Sequence, residues 1–393
     1  MKRSSWGRLA LAVLAVVLFV IVANMLFPPR DPRVSSGAPS IPDNVGIIGT
    51  ASPKSSTAAN SLWFHKPVGG DVDVRPTSFP FQTVFSKWKD SSYLFVNGST
   101  LEAYSSPELS PVATFPSERL PITVEDITVS ENHENVLLSA HDGNSSLLLA
   151  NAFGESMVTE AIAGPVTSLI IGRSVTDDGT ALVATKEIAD ARDEACIHTT
   201  QMSDHTEKSC VPVEEDPEFV EFHSDGSTAL AFGFSDDKPR CAFLQNDGDS
   251  WLVSDQSFVP ELTELKQDSI AYHFLLAGKV FVLTDSGLVV SFAYPTGDCS
   301  LTDVEKTSIQ SFVHGSLVSI SHDEELVHVV FYQDGDETSG QYVATFNAFD
   351  PQRHGGPWQI PPDVSDATGY ESHQKVDTVF LEGEPIEELR GEK

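Results

Sequence analysis

The most informative stretch of this sequence reads Phe222-His223-Ser224-Asp225-Gly226-Ser227-Thr228-Ala229-Leu230-Ala231-Phe232. It places a tight polar turn directly before an apolar strand, because Asp and Gly adopt the backbone angles of tight turns while branched and aromatic residues suit strands. The same pattern occurs at residues 175–184, where Asp178 stands 47 residues before Asp225. Looser copies surround Asp90, Glu131, Ala277 and Asp323. The sequence therefore contains six turn–strand units with a period in the forties.

Most of these units are followed by a second predicted hairpin. The second hairpins lie at Gly143–Phe153, Arg240–Val253, Gly287–Tyr294 and Gly340–Phe349. A period in the forties with about four strands per unit is typical of a β-propeller blade. Since one blade cannot bury both of its faces alone, copies pack around an axis and their inner strands line a central channel. The repeat predicts an all-β fold of the propeller type.

The motif resembles that of the WD40-like and TolB-like propeller group, whose blades carry a Phe-Ser-x-Asp-Gly element before an apolar strand. Phe222–Phe232 is the best match, and the resemblance covers roughly residues 75–350, without a Trp-Asp dipeptide. It implies a fold and no particular function. The blade number is six or seven. We favour seven, because the strand-like segment within Trp358–Leu381 can pair with residues 62–74 and close the ring without open strand edges.

The N-terminus predicts a single transmembrane helix. Lys2, Arg3 and Arg8 precede an apolar run over residues 9–27, and Pro28 follows it. Nineteen helical residues reach about 28 Å, close to the thickness of a hydrocarbon core. The early cations predict a cytoplasmic tail at residues 1–8 and an extracytoplasmic main domain of a single-pass cell-membrane protein. A cleaved signal peptide is the alternative, and it exports the domain as well.

The remaining segments are assigned by composition. Residues 28–61 are rich in Ser, Ala, Pro and Gly and predict a flexible stalk, within which Val45–Ile48 could form a short strand on the domain. The propeller is predicted over residues 62–381. The last segment, residues 382–393, is acidic and predicted to be disordered.

The charge balance restricts the partners. With 24 Lys and Arg against 57 Asp and Glu, the net charge is −33: residues 1–33 carry +4, and the remaining 360 residues carry −37. Such a field repels polyphosphates, so nucleic-acid binding is excluded. Acidity also keeps an exported domain soluble. The partner predicted for such a domain is an unidentified protein or envelope component.

Four cysteines all follow the predicted helix, in a compartment that permits disulfides. Cys196 and Cys210 flank a predicted hairpin with its turn near residues 202–206, so they can face each other across antiparallel strands. A bridge between Cys241 and Cys299 would join neighbouring blades, and the spacing favours it less. No clustered Cys or His spacing typical of zinc is present.

No motif in the sequence predicts a cofactor, a metal site or a catalytic residue. His314, His322 and His328 lie close in sequence but lack a further ligand, and the acidic turns 246–249 and 334–337 lack the spacing of a calcium loop. The leading hypothesis is a non-enzymatic binding or scaffold module. The alternative is an extracytoplasmic enzyme, such as a glycan-processing hydrolase, with carboxylates at the channel. An apolar plug in the channel would exclude the enzyme, whereas a group of carboxylates with an aromatic platform would favour it.

Overall fold

The structure is a computed structural model. It describes residues 39–53, 62–76, 85–88, 92–97, 100–105, 110–116, 123–141, 146–152, 158–161, 168–187, 194–200, 206–213, 216–333, 340–361, 364 and 374–391. No helix among these residues is long and apolar enough to cross a membrane. The predicted transmembrane helix at residues 9–27 lies outside the described residues, as do the cytoplasmic tail and most of the predicted stalk.

Antiparallel strands dominate the described chain. The first fourteen are β1 Gly46–Pro53, β2 Leu62–Lys66, β3 Asp73–Pro76, β4 Phe85–Lys87, β5 Ser92–Asn97, β6 Thr100–Ser105, β7 Ser110–Pro116, β8 Thr123–Val129, β9 Asn135–His141, β10 Ser146–Ala152, β11 Val158–Ala161, β12 Ser168–Val175, β13 Ala181–Glu187 and β14 Glu194–Thr200. The others are β15 Thr206–Pro212, β16 Asp216–Phe222, β17 Thr228–Ser235, β18 Lys238–Asn246, β19 Trp251–Phe258, β20 Ile270–Leu276, β21 Lys279–Thr284, β22 Leu288–Ala293, β23 Glu305–Ser308, β24 Ser316–Asp323, β25 Leu326–Gln333, β26 Gly340–Asn347, β27 His354–Gln359 and β28 Gln374–Glu382. A 3₁₀ helix spans Pro260–Gln267, and a short α-helix, α1, spans Glu384–Glu387.

The strands of the described chain form seven four-stranded sheets. Sheet 1 has the order β28-β1-β2-β3, and sheets 2 to 7 each take four consecutive strands, from β4–β7 to β24–β27. The first strands of neighbouring sheets contact one another in the order β4, β8, β12, β16, β20, β24 and β28. The fold is a β-propeller, as the repeat predicted.

The repeated turn has the same place in each unit whose turn the structure describes. It joins the first strand of a sheet to the second, as at Glu131–His133, Asp177–Gly179 and Ser224–Gly226. Gly226 has a φ of 70°, a left-handed conformation that glycine adopts without strain. The Asp225 carboxylate accepts a hydrogen bond from the Ser227 backbone N–H at 2.9 Å. The Asp-Gly pair is therefore required by the backbone of the turn. The turn predicted around Asp90 lies outside the described residues.

Sheet 1 joins the two ends of the described chain. Strand β28 pairs with β1, and β1 pairs with β2, so a C-terminal strand completes a sheet begun by residues 46–76. Sheet 1 also contacts sheet 2 through Tyr93. The centroid of the Tyr93 side-chain ring lies 5.7 Å from that of Phe380 in β28. Val45–Ile48, predicted as a short strand that docks on the domain, is buried, and β1 begins within it at Gly46. The described propeller therefore begins at Pro39, within the segment predicted as a stalk.

Two other boundaries differ from the prediction. Trp358 belongs to β27 of sheet 7, and only β28 from the predicted C-terminal segment enters sheet 1. The acidic end predicted to be disordered is folded up to Gly391: it contains α1, and Ile386 is fully buried. The segment is fixed because Asn347 Nδ2 donates to the Leu389 carbonyl at 3.0 Å and Arg390 forms ion pairs.

The core lies between adjacent sheets. One cluster fills the space between sheets 4 and 5 and includes Phe222 and Trp251, whose rings meet edge to face at 5.9 Å. The Trp251 indole N–H donates to the Thr199 hydroxyl of sheet 4 at 3.3 Å. Further clusters fill the spaces between sheets 5 and 6 and between sheets 7 and 1. Apolar packing therefore holds the sheets together, and their first strands remain available to line the axis.

Candidate channel site

The axis of the propeller is an open cavity of 1670 Å³. Its wall is formed by the first strands of the sheets, namely β4, β8, β12, β16, β20, β24 and β28. Charged and polar side chains from these strands face the space, and the described residues place in it no apolar plug of the kind that would have excluded an enzyme. Ordinary ligand pockets measure about 300–1,000 Å³, so this channel can hold a ligand of more than drug size.

An ion pair joins sheets 3 and 4 across the wall. The Arg173 guanidinium on β12 donates to the Asp126 carboxylate on β8 at 2.9 Å. Enclosure by the wall raises the pKa of Asp126, although the positive charge and hydrogen bond of Arg173 act in the opposite direction. The Asp126 side chain is 44% exposed, because it opens into the channel. Asp126 is thus an ion-paired carboxylate that opens into the channel.

A carboxylate–imidazole pair joins sheets 5 and 6. His273 on β20 lies with Nδ1 at 2.8 Å from Glu221 Oε2 on β16. The imidazole ring is stacked on Phe219 with a centroid separation of 4.5 Å. A carboxylate can only accept, so Nδ1 carries the proton and donates to Glu221. In neutral His273, Nε2 is then the unprotonated nitrogen.

A phenol–imidazole pair joins sheets 6 and 7. The Tyr272 hydroxyl lies 3.0 Å from Nδ1 of His322 on β24, and the His322 ring is stacked on Phe274 at 4.4 Å. Burial lowers the pKa of His322 to about 4, so this imidazole is neutral near pH 7. Burial raises the pKa of Tyr272, and the negative charges of Asp126 and Glu221 raise it further, so the phenol keeps its proton.

A second charged group lies where residues 383–391 meet the channel wall. The Asp323 carboxylate, at the end of β24, accepts from Lys87 Nζ at 2.7 Å and from Arg390 at 2.6 Å. Arg390 also pairs with Glu324 and Glu387. The pKa of Asp323 is lowered because these cations outweigh the effect of its burial. This cluster ties the C-terminal segment to sheets 2 and 7.

The structure pairs all four cysteines. Cys196 and Cys210 are directly opposite each other on β14 and β15 and are joined by a disulfide, with their Cα atoms 4.0 Å apart. Cys241 on β18 is joined to Cys299, which follows β22, so this bridge connects sheets 5 and 6. Hairpin spacing could predict the first bridge, whereas the second depends on how neighbouring sheets pack.

The three histidines close in sequence have separate surroundings. His314 is exposed, His322 lines the channel, and His328 on β25 is completely buried, with no hydrogen-bond partner for either ring nitrogen in the described structure. His322 and His328 belong to different strands, β24 and β25, because a turn at residues 324–325 separates them. No group of three His, Cys, Asp or Glu in the described part of the chain is arranged to hold a metal ion.

The acidic turn at residues 246–249 binds its own backbone. Asp247 Oδ1 accepts from the backbone N–H groups of Asp249 at 3.0 Å and Ser250 at 2.8 Å, and these bonds lower the pKa of Asp247. The carboxylate is therefore used by the turn, as expected for a hairpin residue. The second acidic turn, at residues 334–337, lies outside the described residues.

Sequence reasoning missed the channel residues themselves. Asp126, Arg173, Glu221, Tyr272, His273 and His322 come from five consecutive first strands. A β-bulge interrupts the pairing of several of these strands, as between Val124 and Asp126 on β8 and between Ile270 and Tyr272 on β20. Bulges redirect the following side chains, so strict alternation could not predict which residues face the axis. The available indication was the polar content of strands that are otherwise apolar.

Comparison with known proteins shows the fold. The sequence matches no protein-family model and no curated protein. Among solved structures, a functionally unknown protein from Desulfotomaculum acetoxidans has a TM-score of 0.52 at 10% identity, covering 85% of this chain and 99% of that one. A Lactobacillus plantarum protein has a TM-score of 0.49 at 14% identity, covering 86% and 99%. A β-propeller domain from Myceliophteria thermophila has a TM-score of 0.46 at 10% identity, covering 72% and 88%.

Proposed function

We propose that this protein is a membrane-anchored, extracytoplasmic β-propeller of seven blades that acts as a binding module and takes its ligand in the central channel. The main support is the open, polar channel of 1670 Å³, whose wall displays side chains from neighbouring sheets. The proposed number of seven counts each four-stranded sheet of the described chain as one blade, with sheet 1 as the blade that closes the ring.

The anchor and the location of the domain rest on sequence. Lys2, Arg3 and Arg8 before the apolar run favour a cytoplasmic N-terminus and export of the propeller. Two disulfides in the propeller fit an oxidising compartment. Membrane fractionation tests the anchor, and protease added to intact cells should digest the propeller and spare residues 1–8. Recovery in the soluble fraction of a shortened protein that lacks the apolar segment would instead support the cleaved signal peptide.

Site-specific photo-crosslinking tests the channel as the binding site. A photoreactive amino acid replaces Ser174, which lines the channel on β12, in the full-length protein. The matched control replaces Leu252, which is 52% exposed on the fourth strand of sheet 5. We expect position 174 to capture a discrete ligand or partner that position 252 does not. Equal capture at both positions, or capture at 252 alone, would contradict binding in the channel.

A second candidate is the extracytoplasmic glycan-processing hydrolase. Two observations favour it: the raised pKa of Asp126, which suits a proton donor, and a second carboxylate, Glu221, in the same channel. Hydrolysis of chromogenic glycosides by the purified protein would support it. That activity should fall by about 10²–10⁴-fold in both Asp126→Asn and Glu221→Gln if the two carboxylates act as acid and base. Activity that persists in both variants would come from another site or a contaminant.

A further inference from the structure

Two imidazole rings in the channel are held by Nδ1. Glu221 accepts the hydrogen bond from Nδ1 of His273, and the Tyr272 hydroxyl lies beside Nδ1 of His322. Each ring is also stacked on a phenylalanine of the preceding sheet, Phe219 for His273 and Phe274 for His322. The Nδ1 contact and the stacking fix the orientation of each ring. The structure shows no partner for Nε2 of either residue within its described part.

The two Nε2 atoms have opposite hydrogen-bonding characters. Because Nδ1 of His273 donates to a carboxylate, Nε2 of the neutral ring is an acceptor. For the other pair, the separation of 3.0 Å allows the Tyr272 hydroxyl to donate a hydrogen bond to Nδ1 of His322, in a contact whose direction depends on the tautomer. With the hydroxyl as the donor, the proton of neutral His322 is on Nε2, which is a donor. The channel therefore presents one acceptor and one donor from adjacent sheets.

The three cations among the described residues that line the channel are already matched. Arg173 is paired with Asp126, and Lys87 and Arg390 are paired with Asp323. An anionic ligand would have to compete with these carboxylates for the cations, which is unfavourable in an enclosed site. A hydroxyl group can donate or accept, so hydroxyl groups of a ligand can satisfy either Nε2 atom without breaking an ion pair. The half-buried rings of Trp88 and Tyr272 also line the cavity and offer apolar surface.

We infer that the channel binds a neutral polyhydroxylated ligand of the carbohydrate class, with Nε2 of His273 accepting and Nε2–H of His322 donating hydrogen bonds to its hydroxyl groups. The volume of 1670 Å³ suits an oligosaccharide rather than a single sugar ring. This inference rests on the proposed function, since it specifies the ligand of the same channel.

Binding measurements on the full-length protein in detergent micelles test the ligand class. The probes are maltotriose, cellotriose and chitotriose as neutral oligosaccharides, spermine as a cation and citrate as an anion, each followed by calorimetry and saturation-transfer NMR. We expect at least one neutral probe to bind, and His273→Gln and His322→Gln each to weaken it about tenfold, the loss of one hydrogen bond. The control is His314→Gln, at an exposed position outside the channel, which should bind unchanged.

The outcomes separate the two proposals. Binding of spermine or citrate alone, weakened by the channel variants, would overturn the carbohydrate assignment and keep the channel as a binding site. If no probe binds and photo-crosslinking at position 174 captures nothing, both proposals fail. If no probe binds but position 174 captures a protein, the carbohydrate assignment fails alone.

Imidazole ¹⁵N shifts give a readout that does not depend on a ligand. We expect His322 to be the Nε2–H tautomer near neutral pH, and Tyr272→Phe to shift it toward a mixture, since the proton that fixes the tautomer is removed. His273 should keep its proton on Nδ1 in this variant, because its Glu221 partner is unchanged. An Nδ1–H tautomer of His322 in the unsubstituted protein would overturn the donor role.

Discussion

At the scale of single residues, His328 is a polar side chain whose burial is not compensated by hydrogen bonds in the described structure. It is completely buried, its ring packs edge to face with Phe380 at 5.5 Å, and neither nitrogen has a hydrogen-bond partner in the described structure. Burial lowers the pKa of His328 to about 3; Asp323 opposes this effect, whereas Lys87 and Arg390 add to it. The folded protein therefore holds this imidazole uncharged under ordinary conditions.

This depressed pKa predicts acid sensitivity. The unfolded chain binds a proton at His328 below about pH 6.5, whereas the folded chain does so only near pH 3. The free energy of unfolding should therefore fall by about 1.4 kcal/mol per pH unit for this residue as the pH drops below 6.5. In His328→Leu this contribution is absent, so the free energy of unfolding of this variant should depend less on pH between pH 6 and 4.5. Urea unfolding at each pH measures it.

The control for this prediction is His314→Leu. His314 is exposed and outside the channel, so its replacement should leave the slope of stability against pH unchanged. Parallel curves for the unsubstituted protein and His328→Leu would show that His328 is protonated in the folded state or has a polar partner.

At the scale of strands and sheets, two neighbouring first strands come close together at Gly172. A Cβ built on this residue of β12 would lie 2.2 Å from the Val220 carbonyl oxygen on β16. Gly172→Ala should therefore force the two strands apart and lower the free energy of unfolding by about 1–3 kcal/mol. Chemical denaturation measures the loss.

Gly391→Ala is the matched control, because the nearest atom to its Cβ would be Glu325 Oε2 at 3.6 Å. This variant should retain the stability of the unsubstituted protein. If Gly172→Ala is equally stable, the contact between β12 and β16 is looser than the structure shows.

The two disulfides are expected to stabilise the folded protein by different amounts. Cys241 and Cys299 are 58 residues apart, and Cys196 and Cys210 are 14 apart. The loop-entropy model gives about 4 kcal/mol for the longer loop and about 3 kcal/mol for the shorter one. Replacing both cysteines of a pair by Ala should therefore cost more for Cys241 and Cys299, as measured by guanidinium unfolding without reductant. Addition of reductant should bring all forms to a similar stability. The reverse ranking would point to strain or residual structure instead.

At the scale of the whole molecule, the C-terminal segment is part of the ring. Arg390 is 11% exposed, and its ion pair with the 7% exposed Asp323 attaches the segment to sheet 7. Arg390→Met leaves Asp323 with Lys87 as its remaining basic partner in the described structure. We expect a loss of about 2–3 kcal/mol in the free energy of unfolding, because a buried carboxylate loses charged hydrogen bonds.

Arg75→Met provides the comparison for the Arg390 variant. Arg75 also pairs with an aspartate, Asp73, at 2.6 Å, but their side chains are 60% and 48% exposed. Water screens this pair, so its loss should cost less than about 1 kcal/mol. Equal effects of the two substitutions in thermal unfolding would mean that the C-terminal segment does not contribute to the stability of the ring.

The fold was more predictable than the site. Units such as Asp178 and Asp225 can be identified because a tight turn restricts which residues it accepts, and that restriction is local. The channel residues carry no such local mark, since Glu221 acquires its partner His273 from a strand 52 residues later. The folded end around Ile386 was also missed, because its burial depends on a sheet formed with residues near the other end of the described chain.

The sequence alone determined that the chain repeats a four-stranded unit, because turn chemistry and apolar strand patterns are properties of neighbouring residues. It also determined the acidity of the molecule and the hairpin geometry that places Cys196 opposite Cys210. Only the tertiary structure decided that the axis is an open polar channel and that Glu221, Tyr272, His273 and His322 face it. The physical reason is that bulges set which side chains turn inward, and packing of the sheets around the axis sets which of them meet.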